Sequence, residues 1–200
     1  FYPSLDFNGD ATINITVSDN QLITSSSFTV SILPVNDAPL LTDIPNQVIN
    51  EDEVLNYALE IFDIDGDNLT YSVVIISGSA SHQVVENQLI VAPDLNFNGE
   101  IQASVAVSDG ELADSDTFII IVEPVNDAPV ATTGLAGLTD EDQGIIITLS
   151  GSDIDGDNLI YSLDTDAING TVSIDGSIAT YTPNSNYNGD DTFIFSVNDG

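Results

Sequence analysis

The 200 residues include no lysine, arginine, cysteine, methionine or tryptophan, and a single histidine. Each absence removes a class of function. Phosphate binding needs Lys and Arg to displace counterions, so nucleic acid is excluded as a partner, and an anionic membrane surface is excluded with it. Without cysteine there is no disulfide, thiol nucleophile or zinc–thiolate site. Without lysine there is no Schiff base and no P-loop. No apolar run nears the ~18 residues of a spanning helix, so no membrane insertion is expected. The chain opens on Phe1 with no basic-then-apolar leader, and it reads as a fragment of something longer.

Against the missing cations stand 33 Asp plus Glu, for a formal net charge of −33. Such charge with few apolar residues would mean disorder, but hydrophobic residues make up 42% of the chain, enough for a packed core. They are Val, Ile, Leu, Phe and Tyr, which favour strands. The expectation is a folded, all-β polyanion. One-sign charge opposes compaction, so bound cations are the obvious offset. The acidity and the lack of cysteine point to a bacterial exterior.

The chain repeats itself every 90 residues. Val35-Asn36-Asp37-Ala38-Pro39 returns as Val125-Asn126-Asp127-Ala128-Pro129, and Glu51-Asp52 as Glu141-Asp142. Asp63-Ile64-Asp65-Gly66-Asp67-Asn68-Leu69 returns as Asp153-Ile154-Asp155-Gly156-Asp157-Asn158-Leu159. Two motifs occur three times, Phe7-Asn8-Gly9-Asp10 (then from Phe97 and Tyr187) and Val17-Ser18-Asp19-Asn20 (then from Val107 and Val197). This gives one complete repeat over 40–129, the C-terminal part of another over 1–39, and a third over 130–200 lacking its last strand.

Apolar and polar residues alternate through Ile101–Val107, and likewise place Ile13, Ile15 and Val17, or Phe193, Phe195 and Val197, on one face. A period of two marks half-buried strands. Further strands are expected at Gln47–Asn50, Glu53–Glu60, Leu69–Ile76, Gln83–Val85, Gln88–Val91 and Thr117–Glu123, with 135–143 a loop or single turn. About seven strands in ~90 residues, joined by Asp-Gly and Asn-Gly turns, read as tandem immunoglobulin-like β-sandwiches.

The sharpest chemical signal is Asp63, Asp65 and Asp67, and again Asp153, Asp155 and Asp157: carboxylates at alternate positions broken by a glycine. Such a loop can converge oxygens on one hard cation. Ca²⁺, with six to eight oxygen ligands, suits it better than Mg²⁺, which keeps its waters. An EF-hand does not fit, because Gly66 is fourth rather than sixth and the twelfth position holds Val74 or Asp164. A solvated hairpin turn would use the same residues, and the repetition favours the metal.

Other candidates carry less. His82 is the only base for a catalytic triad, and its neighbours Ser79, Ala80 and Ser81 read as a loop without counterpart in the third repeat. A lone exposed histidine is read as incidental. Neither Asp-Thr-Gly nor Asp-Ser-Gly, the aspartic protease tripeptides, occurs. Paired carboxylates for glycoside hydrolysis are too easily found in so acidic a chain to signify, and no catalytic role is expected. The sequons at Asn14, Asn68 and Asn169 read as coincidence in a bacterial protein. Phe7, Phe97 and Tyr187 read as turn-packing aromatics rather than a sugar platform.

Taken together, Val-Asn-Asp-Ala-Pro, Glu-Asp, Asp-x-Asp-Gly-Asp, Phe-Asn-Gly-Asp and Val-Ser-Asp-Gly in fixed order resemble the bacterial cadherin-like tandem repeats of large secreted and surface adhesins. Asn-Asp-Ala-Pro also resembles the linker of animal cadherins, where acids from flanking domains bind calcium and stiffen the joint. The resemblance implies Greek-key sandwiches with Ca²⁺ at each junction. At the first it implies Asn36, Asp37, Asp63, Asp65 and Asp109 as ligands, and at the second Asn126, Asp127, Asp153, Asp155 and Asp199. Glu51 or Asp52 resembles the glutamate that a preceding domain contributes. Asp94 and Asn96 stand in the place of a Leu-Asp-Arg-Glu motif that is absent here, and Pro34 replaces a linker acid, which implies fewer ions per joint than in animal cadherins, or one ion held mainly by the downstream domain. The implied function is a calcium-rigidified extracellular spacer or adhesion segment whose partners are neighbouring repeats. A module that grips a cell-surface ligand, polysaccharide or another copy is the alternative.

Overall fold

The computed structural model describes residues 2–200. Among the described residues every regular element is a strand, and no helix is long and apolar enough to cross a membrane. The chain divides into two compact units, Phe1–Glu123 and Pro124–Gly200.

The first unit holds eleven strands: β1 (Gly9–Ser18), β2 (Ile23–Ile32), β3 (Leu40–Leu41), β4 (Gln47–Asn50), β5 (Leu55–Ala58), β6 (Ile61–Phe62), β7 (Thr70–Ser77), β8 (Ala80–Val85), β9 (Gln88–Pro93), β10 (Gly99–Ser108) and β11 (Ala113–Glu123). Strands β4, β11, β10 and β7 form one sheet in that order, with β4 parallel to β11 and the other pairs antiparallel. Strands β5, β9 and β8 form a second, and β3 pairs with β6. The alternation read from the sequence sets the core. Ile101, Ala103, Val105 and Val107 of β10, with Phe118, Ile120 and Val122 of β11, are all at most 2% exposed, in one cluster with Leu55, Leu89 and Val91 of the second sheet. Burying each larger apolar side chain contributes roughly 1.5–3 kcal/mol. These are two sheets packed on a common core, an immunoglobulin-like sandwich.

Strands β1 and β2 form a ten-pair hairpin of the same kind. Its Ile15, Val17 and Phe28 are 51%, 61% and 51% exposed, although their counterparts 90 residues on, Val105, Val107 and Phe118, are 0%, 0% and 2%. The pattern is equal in both places, and only β10 and β11 face a second sheet.

The second unit has β12 (Val130–Ala131), β13 (Ile145–Thr148), β14 (Gly151–Ser152), β15 (Ile160–Thr165), β16 (Gly170–Asp175), β17 (Ile178–Pro183) and β18 (Ile194–Asn198). The pairings β12–β14, β13–β17–β16 and β15–β18 reproduce β3–β6, β5–β9–β8 and β7–β10. Among the described residues of this unit no strand matches β4 or β11.

The expected strand over Glu53–Glu60 is shorter, only β5 (Leu55–Ala58), because the chain leaves that sheet at Leu59, 2% exposed with its N–H bonded to Asn87 O at 2.8 Å, and β6 follows outside the expected range at Ile61–Phe62. The expected loop at Ser79–Ser81 is a turn leading directly into β8. Gly78, at φ +86°, makes the reversal, and Ser81 and His82 already pair with Ala92 and Val91. That stretch has a counterpart in β16, contrary to the sequence reading.

Candidate metal centre

The acidic loops sit where β6 and β14 end. In the first unit, Asp63 Oδ1 accepts hydrogen bonds from the N–H groups of Gly66 at 2.7 Å and Asp67 at 3.2 Å, curling the loop around one carboxylate. Gly66 makes this curl with φ +76°, and Gly156 does the same in the second unit with φ +81°. The linker folds onto the loop: Asp37 N–H donates to Asp65 Oδ2 at 2.8 Å and Asn36 Nδ2 to Asp109 Oδ2 at 2.9 Å. Asp109 Oδ1 accepts from the N–H groups of Leu112 at 2.6 Å and Glu111 at 2.7 Å. Those two backbone donors, helped by the Asn36 amide, hold the Asp109 carboxyl below its ordinary pKa despite desolvation.

The second unit repeats the arrangement within itself. Asp127 N–H donates to Asp155 Oδ2 at 2.8 Å and Asn126 Nδ2 to Asp199 Oδ2 at 2.6 Å. Asp153 Oδ1 accepts from the N–H groups of Asp155 at 3.0 Å and Asp157 at 3.2 Å. Asp153, Asp155 and Asp157 bring carboxylate oxygens within 4.8 Å of one another, the one such group among the described residues. The first copy does not close as tightly.

In both loops the leading aspartate keeps one oxygen unanswered. Asp63 Oδ2 and Asp153 Oδ2 are buried and have no hydrogen-bond partner. A buried carboxylate oxygen without a donor is costly, and no Lys or Arg exists to approach it. All the donor atoms gathered here are oxygens, the set a hard cation takes.

The remaining candidates lie elsewhere. Glu51 is 4% exposed, with its N–H on Glu123 O at 2.8 Å. Asp52 Oδ1 accepts from Asn96 N–H at 3.0 Å, and Asp94 accepts from Ser79 Oγ. The register pairs Gly99 with Val122 and Ser108 with Ala113, so Glu51 lies by the Glu123 end of the sheet and Asp109 by the Ala113 end. The length of β10 between those ends is about 30 Å. Asn36, Asp37, Asp63, Asp65 and Asp109 therefore gather at one pole, and Glu51 at the other. Asp6, which the sequence reading did not single out, lines a cleft of about 320 Å³ with Asp37 and Asp65. The available signal was its position 90 residues before Asn96; Asp6, Asn96 and Asn186 share left-handed φ values of 56–57°.

The bacterial Ig domain family matches residues 36–122 and again 126–200. The chain belongs to that family. Of solved structures, human Protocadherin-24 EC1-2 (Form II) superposes with a TM-score of 0.52 at 19% identity, over 82% of this chain and 88% of that one. An endo-fucoidan hydrolase of glycoside hydrolase family 107 aligns over 98% of this chain and 33% of its own, at 19% identity and a TM-score of 0.39. Chitinase A of Pseudoalteromonas piscicida is 30% identical over 117 residues, 57% of this chain. The chain spans 14% of that chitinase's length.

Proposed function

We propose that these bacterial Ig domains are calcium-binding, calcium-stiffened spacer repeats of a large extracellular protein, of the Val-Asn-Asp-Ala-Pro type that resembles adhesin repeats, and without a catalytic role. The observation that carries this reading is the unanswered buried oxygen at the same step in each repeat, Asp63 Oδ2 and Asp153 Oδ2. Asp63, Asp65, Asp37 and Asp109 would hold one ion, and Asp153, Asp155, Asp157, Asp127 and Asp199 another. Bound Ca²⁺ supplies positive charge at an all-oxygen site. The chain's part is to present that site, tie the Asn-Asp linker to it through Asp65 and Asp155, and thereby leave the short linker little freedom. Pro39 and Pro129 already fix φ there and press the preceding alanines toward extended backbone.

Calorimetric titration of the chelator-treated chain with Ca²⁺ and, in parallel, Mg²⁺ tests the reading. Saturable calcium binding is expected, together with a longer and narrower size distribution by small-angle scattering. Calcium heats no larger than those of buffer would end it. The shared sequence with part of a chitinase favours a second reading, a polysaccharide-gripping module, and retention on chitin in the presence of chelator would support that reading instead.

A further inference from the structure

In the complete repeat, β7 pairs with β10 along Thr70–Ser77, and among the described residues its other side pairs with no strand. An unpaired edge is a template for another strand, and proteins guard such edges by keeping them short, charged, bulged or lined with inward-pointing ionisable groups. The other edge strands of this sandwich are guarded. β4 and β5 have four residues each. β8 sets His82 opposite the buried Val91, on the core-facing side. β7 has eight residues, Thr-Tyr-Ser-Val-Val-Ile-Ile-Ser, without charge, proline or glycine. Its one guard is a bulge where it meets Gln102 and Ala103. On its outer face Val74 and Ile76 stand 57% and 53% exposed.

The corresponding strand of the second unit differs at those two positions. Ninety residues on, Tyr71 and Ser72 return as Tyr161 and Ser162, but Val74 becomes Asp164 and Ile76 becomes Asp166. Charge also decides what can lie against β7. The chain carries −33 with no Lys or Arg, so one copy repels another over most of its surface. Residues 68–85, which hold both β7 and β8, are its longest stretch without Asp or Glu and contain its only His. A basic partner would be drawn to the acids elsewhere, whereas a second copy meets least repulsion here.

We infer that the first unit pairs edge to edge with a second copy of this chain, β7 antiparallel to β7 of the copy about a two-fold axis. Such an isologous contact uses the same strand twice. It joins two four-stranded sheets into one of eight and lays the Val74 and Ile76 side of each copy beside the same uncharged edge of the other. The bulge confines the regular ladder to Thr70–Ile75, so the contact is small and the pairing weak and reversible, in the class of transient interfaces. It needs no calcium, and its test is run in chelator, so that it stands or falls apart from the metal reading.

Sedimentation equilibrium of the full chain in chelator and about 0.15 M salt, where charges are screened beyond ~8 Å, reads the association as concentration rises. A reversible increase of the mean mass from one chain toward two is expected, with slowed amide exchange within Thr70–Ser77. Val74→Asp places in β7 the residue that β15 already carries, at a position exposed in the free chain and therefore neutral to its melting. It should weaken the association by about tenfold or more, since it enters both copies and sets like charges near one another across the ladder. Val48→Asp, 59% exposed on β4 at the far edge of the same sheet, adds the same charge and should leave the association unchanged. A chain that stays monomeric up to its solubility limit, undiminished association of V74D, equal weakening by V48D, or protection arising outside Thr70–Ser77 would each overturn the inference.

Discussion

Asp153→Asn separates a ligand from a merely structural carboxylate, because the two roles predict opposite signs. The amide keeps an Oδ1 acceptor for the N–H groups of Asp155 and Asp157, at 3.0 and 3.2 Å in the native loop. What it removes is one negative charge from three carboxylates whose oxygens lie within 4.8 Å. Two unit charges at that separation repel by about 1 kcal/mol in water, and Asp155 and Asp157 are exposed, so the watery value applies. Without calcium and at low ionic strength, the substitution should therefore stabilise the second unit by on the order of 1 kcal/mol. A change of that size moves the melting temperature of a domain this small by about 4–8 °C. Calcium at a hundred times its dissociation constant adds about 2.7 kcal/mol to the native chain. The variant should lose most of that gain, since affinity at such sites follows the number of charged ligands. The two proteins should thus exchange order, the variant melting higher in chelator and the native chain higher in calcium. Scanning calorimetry with both conditions on one preparation reads this directly. An Asp153→Asn chain that melts lower in chelator and keeps the full calcium increment would refute the assignment.

Four further outcomes follow from the same structure. Asp63→Asn and Asp153→Asn should each remove one calcium equivalent and leave the other, because each cluster is confined to its own unit; a calorimetric stoichiometry that falls to zero with either would contradict this. Gly78→Ala should destabilise the first unit by roughly 1–3 kcal/mol, since φ is +86° and a Cβ would stand 2.8 Å from Glu100 O and 2.9 Å from Ile101 Cα; urea unfolding measures it. Phe118→Ala should cost about 3–5 kcal/mol, while Phe28→Ala, at the same repeat position but 51% exposed, should cost far less; equal losses would show that the hairpin is packed in solution. Burial raises the Asp191 pKa, but donation from Asn169 N–H, Tyr181 O–H, Thr192 N–H and Ile168 N–H outweighs it and leaves the carboxyl below its ordinary value. A depressed pKa gives stability that is present above the unfolded pKa of about 3.9 and is lost as pH falls through the folded value, so the melting difference between native and Asp191→Asn chains should be constant from pH 5 to 8 and shrink below about pH 4.

What the sequence disclosed was local or periodic. The alternation through β10 and the Asp-Gly turns are each contained in a short window, the 90-residue step shows when two such windows are laid side by side, and β10 stands where the alternation placed it. What it hid depends on partners far along the chain. Leu59 ends β5 because Asn87 takes its N–H, and nothing near Leu59 announces that. Glu51 and Asp63 are twelve residues apart and equally acidic, yet the ladder sends one toward the Glu123 end of the sheet and the other to the linker's first loop. Residues 137–140 carry the alternation of β4 only in part and form no strand. Asp114, Asp116 and Asp191 read as more surface charge, because the distant backbone donors that tie them into the fold, Leu41, Ile44 and Asn169, stand 22–73 residues away in sequence.

Those same carboxylates explain how a chain of net charge −33 folds without a single ammonium or guanidinium. Backbone N–H groups stand where side-chain cations would otherwise be. Asp19 takes two, from Gln21 and Leu22; Asp109 takes Glu111 and Leu112; Asp166 takes Ala167 and Val172; Asp191 takes Ile168, Asn169 and Thr192. A peptide dipole stabilises a carboxylate without adding net charge, so this strategy anchors individual acids and leaves the total unopposed. It works wherever a turn or strand edge offers a free N–H. It stops at the Asp-x-Asp-Gly-Asp loops, where three acids share one curl and the local N–H groups already serve Oδ1 of Asp63 or Asp153. The oxygen left over in each marks the narrow place in the two loops where the chain's own donors are exhausted, and where the proposed cation would complete the set.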